Sequence, residues 1–196
     1  MGRTRAALYG LACTFVAVAT PAAAFTEIDP LTRQPLYGMG TEDTYRAQAS
    51  PVAREIVSFD GRYGAGTIVI STTERRLYYT LGNGQAIQYG VGVGRPGFEW
   101  AGSRTVTMKR EWPDWRPPSQ MLRRRPDLPR YMSGGPDNPL GARAMYLGGS
   151  LYRIHGSNEP ETIGQAVSSG CIRMTNEDVI DLYSRVRVGT RVVVLR

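Results

Sequence analysis

The sequence contains few of the side chains from which metal and nucleophilic sites are built. Its 196 residues include one histidine, His155, and two cysteines, Cys13 and Cys171. A catalytic zinc ion usually takes three protein ligands, which this inventory hardly supplies at one place. We therefore predict no metal site and no cofactor.

Long hydrophobic runs are also missing, apart from one at the N-terminus. An uncharged apolar run from Ala6 to Thr20 follows a short basic segment, and the small residues Ala22 and Ala24 come after it. Because a bilayer span needs about 20 apolar residues, the run is short for a membrane anchor. We interpret residues 1–24 as a cleaved signal peptide, with a retained anchor as the alternative.

Export has a consequence for the thiols. Cleavage after Ala24 removes Cys13 and leaves Cys171 without a partner. Cysteines of exported proteins normally pair, because the compartment is oxidising. A lone thiol there indicates a chemical use, whereas a buried structural cysteine beside a structural histidine is the competing interpretation.

The composition predicts one soluble domain made mainly of β-strands. The hydrophobic content of 41% and the charged content of 21% are ordinary for a globular protein, and the 23 glycines and 13 prolines suit short strands joined by turns. Prolines interrupt residues 25–64, which we predict to be an extended or poorly ordered arm. Residues 65–196 are predicted to form the folded domain.

Within that domain, β-branched and aromatic segments alternate with turns. The first three predicted strands form an antiparallel meander, whose second turn carries the Asn83-Gly84 hairpin signal. The predicted strands cover residues 67–71, 76–80, 85–93, 105–111, 142–147, 151–155 and 190–195.

One segment has a convincing helical period. A helix at about 176–186, capped by Thr175 or Asn176, is predicted to bury Val179, Ile180, Leu182, Tyr183 and Val186. Short helical turns are predicted at 119–125, with Ser119 as the cap, and within 161–167.

Two patterns suggest nucleotide or nucleic-acid binding and are set aside. Residues 92–97 fit G-x-G-x-x-G, but Pro96 and an aperiodic segment follow where a dinucleotide fold needs a helix. The arginine run 123–125 is more typical of a solvated helix face, and an exported protein meets little nucleic acid. If the run binds a partner, an anionic surface of the cell envelope is expected.

The remaining candidate is the segment from His155 to Arg173. A cysteine attacks as its thiolate, and His155 is the imidazole available to accept the proton of Cys171. Gly170 allows close approach to the sulfur, and the amides of Gly170 and Cys171 suit an oxyanion. Arg173 lies two positions beyond the thiol, on the same side of an extended segment, and suits a carboxylate. This arrangement predicts acyl transfer through a thioester.

A serine nucleophile is disfavoured, because neither Ser168 nor Ser169 lies in a G-x-S-x-G turn. Papain-like proteases have their cysteine far before the histidine, which is the opposite of the order here.

These residues resemble a known signature. His155-Gly156 followed by Ser168-x-Gly170-Cys171-Ile172-Arg173-Met174 is similar to the motif of the L,D-transpeptidases (YkuD domain), which remodel bacterial peptidoglycan. Residues 138–141, 144–147, 155–160 and 163–164 also look like that family. The resemblance covers residues 66–196.

The resemblance implies a β-sandwich or barrel of mixed sheets and a periplasmic enzyme. Cys171 would attack a tetrapeptide stem at the carbonyl of its third residue and release D-alanine, with His155 as the base. Arg173 and Ser168 would shape the donor site, and Gly170, Ser169, Gly156 and Ser157 complete the expected substrate-binding or oxyanion residues.

The same resemblance implies the partners. Peptidoglycan stem peptides are the expected substrates, the acceptor being a second stem or an outer-membrane protein, and carbapenems are expected to acylate a monomeric enzyme. An L,D-carboxypeptidase using water and a non-catalytic wall-binding module are the alternatives.

Two positions depart from the commoner pattern. Ser169 stands where many members have histidine, and Ser157 stands where threonine is frequent. The family often orients its histidine through a backbone carbonyl, and Glu159 and Glu161 are the other candidates for that role.

Overall fold

The computed structural model describes residues 50–59 and 62–196. The predicted signal peptide, Cys13 and most of the predicted arm lie outside the described residues. Within the described part, the model contains no helix with the length and apolarity needed to span a membrane.

The domain is mainly β, as predicted, with one helix longer than two turns in the described part. Its strands are β1 Glu55–Ser58, β2 Ile68–Ser71, β3 Arg76–Gly82, β4 Gln85–Gly90, β5 Val93–Gly94, β6 Gly102–Glu111, β7 Arg143–Leu147, β8 Arg153–His155, β9 Ala166–Ser168, β10 Ile172–Arg173 and β11 Arg191–Leu195. The helices are α1 Ser119–Arg124, α2 Asn176–Arg185 and the 3-10 helix Pro160–Thr162.

Nine strands form one mixed sheet in the order β1-β4-β3-β2-β11-β6-β7-β8-β10. The meander of β2, β3 and β4 is antiparallel as predicted, and Asn83 and Gly84 adopt the positive φ values of its hairpin turn. β11 lies parallel to β2, and β10 lies parallel to β8. β5 and β9 pair in a separate two-stranded parallel sheet.

The central strands have continuous apolar runs because both of their faces are covered. Ile68, Val69 and Ile70 of β2 are all buried, and so are residues 192–194 of the neighbouring β11. The core between the sheet and α2 includes Val179, Leu182 and Val186.

The last strand of the sheet also meets the chain just beyond β4. Gly92 and Arg173 exchange two backbone hydrogen bonds, both of 2.9 Å. β10 is therefore bonded on one side to β8 and on the other to Gly92, which follows β4 near the opposite end of the strand order. The mixed sheet agrees with the predicted architecture.

Several local predictions need correction. The N-cap position of α1 is Pro118, and Ser119 is the first helical residue, with no side-chain cap bond. Residues 166–168 form β9 instead of continuing a helical turn. Ile180 is 36% exposed on α2 instead of buried.

Candidate active site

The pairing of β8 with β10 gathers the candidate residues on one face of the sheet. Ile172 lies opposite Ile154 and Arg173 lies opposite His155, in parallel register. Both isoleucines point into the core, where they are 0–1% exposed. Since side chains alternate along a strand, His155 and Arg173 point to the opposite face, and so does Cys171 when the register is extended by one residue.

His155 and Cys171 lie on a diagonal of this face. Neighbouring strands are about 4.8 Å apart and each residue rises about 3.3 Å, so their Cα atoms are separated by roughly 8 Å. An imidazole and a thiol span that diagonal when both side chains turn towards each other. The resting structure contains no direct hydrogen bond between them.

His155 is buried, and its orientation is set by the backbone. Its Nδ1 atom lies 2.6 Å from the Gly156 carbonyl oxygen, so the proton belongs on Nδ1 and Nε2 is left to accept. Burial, with Arg173 and Arg153 nearby, lowers the pKa of His155 to about 3 against the opposing effect of the Gly156 carbonyl. The imidazole is therefore neutral at physiological pH.

Cys171 carries a free, partly buried thiol. Its Sγ atom lies 3.9 Å from the carbonyl oxygen of Leu151, which is a weak contact. Burial raises the pKa of the thiol, although Arg153 and, to a smaller extent, Arg173 act in the opposite direction. In the resting site the sulfur is therefore protonated.

A tight turn before β10 places the thiol. The Ser168 hydroxyl donates to the Cys171 carbonyl oxygen at 2.6 Å and accepts from the Gly170 amide at 3.0 Å. Gly170 has a φ of +104°, and a Cβ there would come within 2.5 Å of the Tyr152 ring. Glycine is thus required by both backbone conformation and space. Ser168 is engaged with this turn, and Ser169 is partly exposed beside it.

Two aromatic side chains support this turn and were not predicted as site residues. Trp100 Nε1 donates to the Gly170 carbonyl oxygen at 2.7 Å. The Trp100 ring stacks on Tyr152 with a centroid distance of 4.7 Å. The sequence offered only one signal for them, which is that both are aromatic residues next to glycine-rich segments.

Other residues of the signature have structural contacts. Asn176 Oδ1 accepts from the Ala142 amide at 2.8 Å. A side chain on Gly156 or Gly141 would collide with that oxygen, so both glycines are needed for the packing. Ser157 is buried, and its hydroxyl accepts from the Glu159 amide at 3.0 Å.

Arg173 is already paired. Its guanidinium donates to Glu159 at 2.8 Å, with the arginine side chain 22% exposed and the glutamate 51% exposed. Glu159 therefore pairs with Arg173, and no hydrogen bond or ion pair joins it to His155, while Glu161 lies exposed in the 3-10 helix.

Arg153 is a further charged residue of this face, and it is not among the residues predicted for the site. It pairs with Tyr146 across β7 and β8 and lies level with Cys171 when the β8–β10 register is extended by one residue. The alternation of residues 153 and 155 on a predicted strand was the signal that pointed to it.

Nucleotide and metal sites find no structural counterpart in the described part of the chain. The glycine pattern 92–97 contains the two-residue strand β5 and a turn, and β6 follows it without a helix. No group of three or more His, Cys, Asp or Glu side chains within residues 50–59 and 62–196 is placed to hold a metal ion. A surface cavity of about 490 Å³ is lined by Tyr131–Asn138 and includes no predicted site residue.

Comparison with known proteins agrees with this geometry. The model of the YkuD family, described as the L,D-transpeptidase catalytic domain, matches residues 65–194 and so includes every predicted site residue. Probable L,D-transpeptidase ErfK/SrfK of Escherichia coli strain K12 is 40% identical over 137 residues, which are 65% of this chain and 43% of that protein. The chain thus spans less than half the length of this relative.

Two solved structures are also similar. A probable carnitine operon oxidoreductase caia from Brucella melitensis is 47% identical, with a TM-score of 0.51 and coverage of 76% of this chain and 96% of that one. L,D-transpeptidase 3 from Mycobacterium tuberculosis in complex with a faropenem-derived adduct is 19% identical, with a TM-score of 0.53 and coverage of 66% and 60%. At that identity the second likeness concerns the fold. Since the family match spans more than half of the sequence, the chain belongs to the L,D-transpeptidase (YkuD) family.

Proposed function

We propose that this protein is a periplasmic L,D-transpeptidase that acts on peptidoglycan tetrapeptide stems through a thioester on Cys171. The observation that carries the proposal is the placement of Cys171 and His155 on one face of β8 and β10, inside a family match that includes both. The predicted signal peptide over residues 1–24 supports the location.

The first step is attack by a thiol and imidazole that are both neutral at rest. Nε2 of His155 accepts the Cys171 proton as the sulfur bonds to the carbonyl carbon of the third stem residue. The Gly156 carbonyl holds the Nδ1 proton and stabilises the imidazolium that forms. A general base is needed here because burial disfavours a preformed thiolate.

The backbone amide of Cys171 donates a hydrogen bond to the negative oxygen of the tetrahedral intermediate. The Gly170 amide already donates to the Ser168 hydroxyl, so its role is to shape the turn. The positive charges of Arg153 and Arg173 on the same face favour the developing anion.

Collapse of the intermediate breaks the bond to the terminal D-alanine. The imidazolium returns its proton to the leaving amine, and the acyl group stays on sulfur as a thioester. An acceptor amine then attacks the thioester while His155 takes its proton, which releases the thiol and forms the new amide. The acceptor is proposed to be the amine of a second stem peptide or of an outer-membrane protein.

A carbapenem tests the nucleophile directly. Intact-mass spectrometry of the protein after exposure to the drug should show one covalent adduct, which Cys171→Ala abolishes. Ser184→Ala, on the exposed side of α2, is the matched control and should acylate as the unsubstituted protein does. Absence of an adduct on the folded, unsubstituted protein would contradict the proposed nucleophile and favour a non-catalytic wall-binding module.

Stem-peptide turnover tests the acceptor. Incubation with a purified disaccharide tetrapeptide should release D-alanine and give a cross-linked dimer. Release of D-alanine with only the tripeptide as product would show that water is the acceptor and would replace transpeptidase by carboxypeptidase.

A further inference from the structure

Arg153 lies level with the thiol, and among the described residues no carboxylate forms an ion pair with it, unlike Arg173 and Arg143. It lies two residue pairs from the His155–Arg173 pair and is level with Cys171 on the same face when the register is extended by one residue. Its guanidinium packs over the Tyr146 ring, 5.1 Å from the ring centroid. The Tyr146 ring thus holds the Arg153 guanidinium in the row of residues that includes Cys171.

The hydrogen-bonding capacity of this guanidinium is not used up. Nε of Arg153 is buried and has no acceptor among the described residues, and no carboxylate there forms an ion pair with it. By contrast, Glu159 pairs with Arg173, and Glu111 pairs with Arg143 at 3.2 Å. A buried donor without an acceptor is costly, so an arginine kept in this state indicates an acceptor that forms during the reaction.

The imidazole does not provide a positive charge for the resting sulfur. Cysteine nucleophiles are commonly held as thiolates by a neighbouring imidazolium. Here burial keeps His155 neutral, since its pKa is about 3. Any positive charge that faces the sulfur before proton transfer therefore comes from another side chain.

The other arginines of this region either have a carboxylate partner or pack over another ring. Arg173 on β10 is paired with Glu159. On the neighbouring loop and on α1, Arg95 and Arg124 pack over Phe98, at 4.3 and 5.1 Å from its centroid. Of the two arginines on the face of β8 and β10, Arg153 is therefore the one that no described carboxylate compensates.

We propose that Arg153 is a positioning residue whose guanidinium stabilises the negative charge that develops on the Cys171 sulfur. The proposal deepens the function given above and rests on Cys171 as its nucleophile. Arg153 lies level with the thiol in the resting site, and as the proton leaves for His155 the sulfur becomes the acceptor that the buried donor lacks. The arginine charge then acts on the sulfur beside the imidazolium that His155 becomes.

The rate of alkylation of Cys171 by iodoacetamide, measured against pH, tests this role without any peptidoglycan. The sulfur displaces iodide only as its thiolate, so the midpoint of the rate profile reports the pKa of the thiol. Arg153→Gln should move the midpoint upward by about one unit and slow alkylation about tenfold at pH values below it. Arg153→Lys, which keeps the charge, should restore most of the shift.

Arg173→Gln is the matched comparison, because it removes the same group from the same face. Its shift should be less than half that of Arg153→Gln, since Glu159 already compensates Arg173. A folded Arg153→Gln variant with an unchanged midpoint would overturn the proposal, as would a larger shift in Arg173→Gln. Circular dichroism establishes the folded state.

A second substitution keeps the test decisive if Arg153→Gln does not fold. Tyr146→Leu removes the ring beneath the guanidinium and should raise the midpoint by a smaller amount, whereas an unchanged midpoint in that folded variant would overturn the proposal. The outcome is separable from the proposed function. If stem peptides are not turned over but Arg153→Gln still shifts the alkylation midpoint, the proposed transpeptidation is refuted and the role of Arg153 is retained.

Discussion

A histidine that is 4% exposed must stay neutral for the fold to be stable. His155 meets this condition because its pKa is lowered to about 3, first by burial and then by the two flanking arginines. Its neutral state suits a general base, and it also ties the stability of the domain to pH.

We predict that the free energy of unfolding falls as the pH is lowered below about 6.5. The unfolded histidine binds a proton near pH 6.5 and the folded one near pH 3, so the unfolded state gains protons first. The contribution of His155 is therefore present above pH 6.5 and is lost as the pH falls towards 3. Between pH 7 and pH 5 the loss is roughly 2 kcal/mol from this residue.

Urea unfolding at pH 7 and pH 5 measures this dependence. His155→Gln removes the titrating group. The change in the free energy of unfolding between pH 7 and pH 5 should therefore be smaller in this variant than in the unsubstituted protein, by about the same 2 kcal/mol. Equal pH differences in both proteins would show that His155 is not the group responsible.

At the residue scale, a local sequence pattern marks some residues of the candidate site and no such pattern marks others. His155, Cys171 and Gly170 stand out in the sequence by rarity or by motif. Arg153 and Trp100 reach the site through pairing between distant segments, and no local pattern encodes that pairing. The assignment of the imidazole to the Gly156 carbonyl likewise needed coordinates.

Among the elements, α2 has the most complete local signals. Thr175 caps it through its side chain, which accepts from the Asp178 amide at 3.2 Å, and Glu177 and Asp178 occupy the first turn. The threonine cap satisfies a free backbone amide, and the acidic side chains interact favourably with the positive end of the helix dipole, so both stabilise the start of α2. The helix follows directly after β10, so its start also fixes the end of the site segment.

We predict that Thr175→Ala lowers the free energy of unfolding by about 1–2 kcal/mol, through loss of the cap bond and of a buried methyl group. Chemical denaturation measures the change. Ser184→Ala, an exposed hydroxyl on the same helix, should change stability by less than about 0.5 kcal/mol. Equal effects of the two substitutions would show that the Thr175 cap does not stabilise the domain.

Prediction of elements succeeded where the signal is local. The Asn83-Gly84 turn and the cap at Thr175 are encoded by neighbouring residues, and both are confirmed. β9 was missed because residues 166–168 become a strand only by pairing with β5, far away in the sequence. Ile180 was placed in the core because apolar character alone does not show which side of a helix is covered.

In the whole domain, one arginine links the start of the sheet to α2. Arg54 precedes β1 and lies 3.5 Å from Asp178, 3.6 Å from Asp181 and 3.7 Å from Glu177. The Asp178 side chain is 4% exposed, and burial raises its pKa while Arg54 opposes that rise. A segment expected to belong to the N-terminal arm thus contributes both β1 and a countercharge to the domain.

We predict that Arg54→Ala lowers the free energy of unfolding at pH 7 by about 1–2 kcal/mol, since a buried carboxylate loses its countercharge and the partial exposure of Arg54 limits the effect. The loss should shrink at lower pH, because protonated Asp178 needs no partner. Thermal unfolding across pH measures it. Arg187→Ala, which removes the same charge from an exposed position, should have little effect, and a pH-independent loss in Arg54→Ala would contradict this account.

The topology itself was beyond reach of the sequence. β11 was recognised as a buried closing strand, but its position between β2 and β6, parallel to one and antiparallel to the other, depends on long-range pairing. The family resemblance anticipated mixed sheets without giving this order.

The pairing of β10 on both sides has a consequence for how such a chain tolerates insertions and deletions. Because side chains alternate, a slip of one residue against β8 and Gly92 would turn Cys171 towards the core and carry Ile172 to the outer face. Insertion or deletion of one residue between Gly170 and Met174 should therefore abolish the arrangement of the site. The connection between α2 and β11, where Val188 is 63% exposed, offers room for variation in length, and differences among relatives are expected to accumulate there.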